Sequence, residues 1–189
     1  MNDMIVTAPN PVLISPAKTV KKIDKKVKDI IKKLKKTLLA TRNPKGVGLA
    51  APQIGIPLRI FVTRPTETSP IEAFINPEIT GKSSKLAEIV RPDDGKPSLK
   101  KEKKLEGCLS IPNIWGYLKR SKKVKLRYMD MTGNREEKEF SGFMATIIQH
   151  ETDHLNGILF TKRVLEQSEK FYRIEKDEKG NEKLVEVEI

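Results

Sequence analysis

A single cysteine among 189 residues leaves no partner for an internal disulfide. A disulfide framework is excluded, and a reducing compartment is the natural setting for the lone thiol. Long apolar runs are also missing: no stretch approaches the roughly 20 residues that a membrane-spanning helix requires. The opening MNDMIVTAPNPVLISP lacks the basic segment followed by an apolar run that marks a secretory leader. The expectation is a soluble, cytoplasmic protein without membrane contact. Acidic side chains are in deficit, 25 against 37 basic ones, giving a net charge of +12. The excess gathers around Lys18 to Lys36, Lys96 to Lys104 and Lys119 to Lys125. Such charge either keeps a face solvated or favours encounter with ribosomes, RNA and other anionic surfaces. A ribosome contact through the basic surface is a candidate partnership; specific DNA binding is not expected.

What is present suffices for one core. Hydrophobic residues make up 37% and charged residues 33%, and the length gives no reason to divide the chain, so residues 1–189 are expected to form a single catalytic domain. Between about Lys21 and Ala40, Ile23, Val27, Ile30, Ile31, Leu34, Leu38 and Leu39 recur at helical spacing with lysines between them, which predicts an N-terminal amphipathic helix whose stripe packs on the core. A Gly/Pro-rich segment follows, then short strands at Leu58 to Thr63 and Ile71 to Ile75. Residues 82–104 are polar and charged, with a turn signal at Arg91 to Gly95, and read as a surface insertion. A hairpin is expected from Lys122 to Phe140, turning at Thr132 to Asn134, and another from Phe171 to Ile189, turning at Lys179 to Asn181. A second helix is predicted over Gly142 to Leu155.

The only two histidines, His150 and His154, lie four apart in HETDH. On a helix this spacing sets both imidazoles on one face, able to share a metal ion, with Glu151 in reach of the water that the ion activates. Two histidines placed at random would fall four apart only about once in a hundred chains of this size, so coincidence explains the pair poorly. Phe143 and Ile147 precede them on the same face and would put an apolar wall beside the metal, although core packing is the commoner role for such residues. Ile148 and Leu155 point elsewhere, toward the core. Catalytic metals usually take three protein ligands. Cys108 in EGCLSIP, an extended segment, is the candidate third; alone it would read as a small buried hydrophobe. GVGLAAPQ, residues 46–53, lacks the Lys-Ser/Thr of a phosphate-binding loop; its Gln53 is a neutral donor suited to a developing oxyanion.

GVGLAAPQ, EGCLS and HETDH followed by Leu155, Asn156 and Gly157 together resemble the three signature motifs of the peptide deformylase family, in the same order. The resemblance implies an α+β fold with a metal-binding helix packed against antiparallel β-sheets. It implies that Cys108, His150 and His154 hold one divalent metal ion per chain, with Fe(II) native and Zn(II), Ni(II) or Co(II) also accepted by such a site. Glu151 would be the acid/base, and Gln53 with the Leu109 backbone N–H the oxyanion donors. Val47, Gly48, Phe143 and Ile147 would border the methionine pocket, and Glu106 would pair with Arg120. The substrates so implied are N-formylmethionyl nascent peptides. Departures include Asn113, where many members have glycine, Trp115 near the substrate groove, Asn10 in the N-terminal PNPVL, and a terminal hairpin in place of a long helix. An HExxH protease of internal bonds would need a later histidine or glutamate ligand, and no histidine follows. A basic RNA-binding protein would leave all three motifs unexplained.

Overall fold

The computed structural model describes residues 5–42, 44–91, 105–176, 178, 180 and 182–188. The first long element is α1, Lys25–Ala40. Asp24 caps it, its carboxylate accepting the Val27 N–H at 3.0 Å. The cap explains why the helix starts four residues later than its apolar periodicity suggests. Ile23 still packs on the core from the extended segment before it, whereas Leu39 lies off the stripe and is exposed.

Strand β1, Gly48–Ala50, runs into a 3-10 turn at Ala51–Ile54; β2, Ile60–Thr63, and β3, Glu72–Lys82, follow. Two-residue β4, Leu86–Ala87, precedes β5, Glu106–Cys108, and β6, Ile111–Gly116. After β7, Arg120–Ser121, the hairpin of β8, Lys123–Met129, and β9, Arg135–Ser141, leads directly into α2, Gly142–Leu155. The chain ends with α3, Phe160–Glu166, and a hairpin of β10, Phe171–Lys176, and β11, Glu182–Val187. The strands form a five-stranded sheet β1-β2-β3-β8-β9, a four-stranded sheet β11-β10-β6-β5 and a β4-β7 pair. Every ladder between named strands is antiparallel. With helices packed on these sheets, the fold is α+β.

The five-stranded sheet is covered on both faces near its β1 edge. On one side Leu49, Ile60, Val62 and Ile75 pack against Val27, Ile31, Leu34 and Leu38 of α1. On the other, Phe61, Phe74, Leu126 and Tyr128 pack against Ala145, Ile148 and Leu155 of α2. The period-2 alternation of β2 thus feeds two cores, and the strand reads as an unbroken apolar run. A third core joins Cys108, Leu118, Phe160, Val164 and Phe171 where α3 meets the smaller sheet.

Strand β3 runs past the predicted 71–75 because its polar half continues to pair with β8, with register shifts at Ile75/Glu78 and Ile79/Gly81. Seven-residue α3 had no periodic signal to announce it. Asn113 has φ +64°, a left-handed backbone that asparagine tolerates better than most residues. Within the stretch read as an insertion, Ile89 is buried and β4 pairs with β7; residues 92–104, with most of the Arg91–Gly95 turn signal, lie outside the described residues. So do Lys179 and Asn181 of the terminal turn. Among the described residues, no helix is long and apolar enough to cross a membrane.

Candidate active site

α2 carries Ile148 and Leu155 into the sheet core, which turns its other face toward β5. His150 and His154 stand one turn apart on that face with ring centroids 4.9 Å from each other. Cys108 ends β5, the edge strand of the smaller sheet, and its Sγ lies 3.2 Å from His154 Nε2. The three ligand atoms of Cys108, His150 and His154 lie within 4.8 Å of one another. The helix packs on the larger sheet and the strand belongs to the smaller one, so the cluster forms only when the two are brought together.

His150 is held from behind, whereas His154 Nδ1 has no hydrogen-bond partner among the described residues. His150 Nδ1 lies 2.6 Å from Glu106 Oε1, leaving Nε2 to face the cluster. Glu106 is gripped by two Arg120 nitrogens at 2.7 Å each, and Arg120 Nη1 donates to Asp153 at 2.9 Å. Asp153 in turn accepts from Arg163 at 2.8 Å. This chain of alternating charges is nearly dry, with Glu106 and Arg120 both buried. Burial alone would push Glu106 up, but Arg120 and then His150 outweigh it and hold the carboxyl well below the usual range. Burial would likewise raise the Cys108 thiol, yet His154 and His150 bring it down to about 5. A thiolate in place of a thiol is the form that ligates metal.

Glu151 has no such company. It is 2% exposed, and its Oε2 has no hydrogen-bond partner among the described residues. Burial is the largest influence and pushes its carboxyl up to about 7, against the pull of His150 and His154. The residue opposite must be glycine: a Cβ on Gly48 would lie 2.3 Å from Glu151 Oε1 and 2.9 Å from Ile147 Cγ2. Gln53 is also fixed. Its Oε1 accepts the Ala50 N–H at 2.8 Å, which aims Nε2 at Ser110 Oγ, 3.3 Å away, and at Cys108 Sγ, 3.6 Å away. The amide's donor end therefore faces the metal-ligand cluster.

Val47, Gly48, Phe143 and Ile147 all line one cavity together with Gln53, Cys108, Leu109, His150 and Glu151. Ile147 is buried against Gly48, and Phe143 is half-buried at the rim. Thr146, Ile89, Arg91 and Trp115 border the same cavity. Thr146 was recoverable from the helix spacing, one residue before Ile147. Ile89 and Arg91 were not, because nothing in a polar stretch signals that its flank folds back over a site. Trp115 packs flat on Gly107, where a Cβ would lie 2.6 Å from the indole. Asp153 and Arg163 also escaped the sequence reading; the only signal was Asp153's place inside HETDH.

The donor set suits a divalent transition metal: one thiolate, two imidazoles and an adjacent unpaired carboxylate oxygen. Fold and site together define a hydrolase of the metal-dependent α+β kind. A model of the family described as polypeptide deformylase matches residues 2–170. The peptide deformylase of Pseudothermotoga lettingae is 41% identical over 151 residues, 80% of this chain and 76% of that protein. The crystal structure of peptide deformylase from Thermotoga maritima superposes with a TM-score of 0.71 at 36% identity, covering 85% of this chain and 95% of that one. A class I type b peptide deformylase from Acinetobacter baumannii, solved with Met-Ala-Ser bound, gives a TM-score of 0.71 at 32% identity over 85% and 96% of the two chains. The chain belongs to the polypeptide deformylase family, metal-dependent hydrolases that remove the N-formyl group from newly made polypeptides.

Proposed function

We propose that Cys108, His150 and His154 hold a single Fe(II) ion, that Glu151 is the acid and base of N-formyl hydrolysis, and that Gln53 and the Leu109 N–H stabilise the oxyanion. The observation that carries this reading is the buried, unpaired Oε2 of Glu151 beside three converging ligand atoms. When bound, the ion supplies Lewis acidity that makes water a nucleophile at neutral pH. Glu151, with a protonation midpoint pushed up to about 7, takes the proton from the attacking water. It returns that proton to the leaving amine, so formate and a free N-terminus result. Gln53 Nε2, already aimed by the Ala50 N–H, needs no reorganisation to donate to the oxygen on which charge develops.

The substrate is an N-formylmethionyl nascent peptide. Phe143, Ile147 and Val47 supply an apolar wall for the methionine side chain, and Gly48 keeps the floor open. Strands β1 and β5 are edges of different sheets, and both border the cavity. An extended peptide lying between them can hydrogen-bond to either edge in the manner of an added strand. Iron is favoured by the family likeness; the donor set itself also accepts Zn(II), Ni(II) and Co(II).

The enzyme works in the cytoplasm as one catalytic domain and meets its substrates at the ribosome. α1 supports that contact: Lys25, Lys26, Lys28, Lys32, Lys33, Lys35 and Lys36 have no ion-pair partner among the described residues. Cosedimentation with ribosomes that is strong at low salt and lost on replacing those lysines is the expected result.

The experiment that tests the activity is anaerobic incubation of metal-analysed protein with N-formyl-Met-Ala-Ser and assay of formate, alongside Glu151→Ala and Cys108→Ser. Formate released with about one ion per chain, and lost in both variants, supports the assignment. Bound metal without formate would overturn it.

A further inference from the structure

A second concavity of about 450 Å³ adjoins the catalytic cavity. The two share Lys45, Gly46, Val47, Arg91 and Phe143 as lining residues. Its charge is one-sided: Arg42, Lys45, Arg64 and Arg91 line it against one carboxylate, Glu67. On the β8–β9 hairpin the basic side chains are offset, since Lys123, Lys125, Arg127 and Lys138 each pair with a glutamate. In the groove, among the described residues, only Lys45 is offset in this way. Arg42 has no ion-pair partner among the described residues, Arg64 donates to the Glu67 carbonyl, and the buried Arg91 Nε has no hydrogen-bond partner among them. Glu67 itself pairs with Lys45, which holds its carboxyl below the usual range. A carboxylate is therefore already seated where the groove opens.

We propose that this groove is a subsite for carboxylate side chains of the substrate, met about three to five residues from its formylated end. The proposal rests on the deformylase reading and adds a sequence preference to it. A peptide whose formyl group lies among Gln53, Cys108 and Glu151 and which follows the free edge of β1 backward passes Gly48, Val47, Gly46 and then Lys45. At about 3.3 Å per residue, three residues of extended chain reach Lys45, where the groove begins. Nascent chains with Asp or Glu at the fourth and fifth positions exchange solvent for Arg42, Lys45 and Arg64. Those with Lys meet repulsion.

The test compares kcat/KM of the metal-loaded full chain for N-formyl-Met-Ala-Ser extended by Asp-Asp, Ser-Ser or Lys-Lys. The acidic peptide is expected to be about threefold to tenfold better than the neutral one, the yield of two or three screened ion pairs, and the advantage should shrink in about 0.5 M salt. In the double variant Arg42→Glu/Arg64→Glu the order should reverse toward Lys-Lys, with turnover of the unextended tripeptide unchanged. Glu67→Gln, which keeps all four cations, should sharpen the acidic preference. Equal kcat/KM for acidic and neutral peptides, or an acidic preference that survives the double variant, would overturn the subsite. Loss of turnover on every peptide, the tripeptide included, would instead overturn the deformylase reading beneath it.

Discussion

Gly48 leaves space for one carboxylate oxygen and nothing more, so the acid/base assigned to Glu151 depends on a neighbour with no side chain. Two substitutions separate the group from its seat. Glu151→Gln keeps the shape and removes the base; the expected loss in kcat is about a hundredfold to ten-thousandfold, with metal content unchanged by elemental analysis. Gly48→Ala keeps the base and displaces it, and a comparable fall in kcat is expected with the ion still bound. If Gly48→Ala were fully active, the packing against Glu151 would be irrelevant to turnover. The residues of the candidate site were the most legible part of the chain, because scarcity and spacing speak together: two histidines, one cysteine and a glutamate in a fixed helical frame. Gln53 was legible as a donor, but not its aim, since that depends on the Ala50 N–H and on Ser110, across a fold that spacing does not encode.

Helix α2 has the bounds its pattern predicts, and the β8–β9 hairpin turns where Thr132, Gly133 and Asn134 mark it, because local periodicity and turn chemistry fix both. Elements whose extent is set by a distant partner were less legible: β3 is lengthened by β8, and α1 is trimmed by its cap. The Arg163–Asp153–Arg120–Glu106–His150 chain is the extreme case, tying α3, α2, β7 and β5 through side chains up to 57 positions apart along the sequence. Its energetic weight is testable at Arg120. Arg120→Met leaves Glu106 in a dry site with His150 alone as hydrogen-bond partner among the described residues, and a loss of about 3–5 kcal/mol in urea unfolding is expected. Metal affinity should fall about tenfold to a hundredfold as His150 loses its orientation. Lys123→Met, which breaks only an exposed pair with Glu139, should leave the urea midpoint in place.

For the molecule as a whole, the buried charges set an acid limit. Glu106 and Asp153 are both held below the carboxylate range, Glu106 chiefly by Arg120 against its burial and Asp153 by Arg163 and Arg120 against its own. In the unfolded chain both titrate near about pH 4, so their stabilisation is complete above that pH and is lost as pH falls toward their folded values. The share of the metal-free protein's urea midpoint that Glu106 and Asp153 supply should therefore be constant above about pH 5 and be lost as pH falls below about 4. A shallower fall in Asp153→Asn would tie the limit to this chain; an unchanged slope would place it elsewhere. The two edges that flank the cavity carry a different consequence. β1 and β5 are each three residues long. A passing peptide can form only a few backbone hydrogen bonds with them, each contributing about 1 kcal/mol net. The grip is short by construction, and an enzyme that must visit every new chain once is suited by an interface too brief to retain any of them.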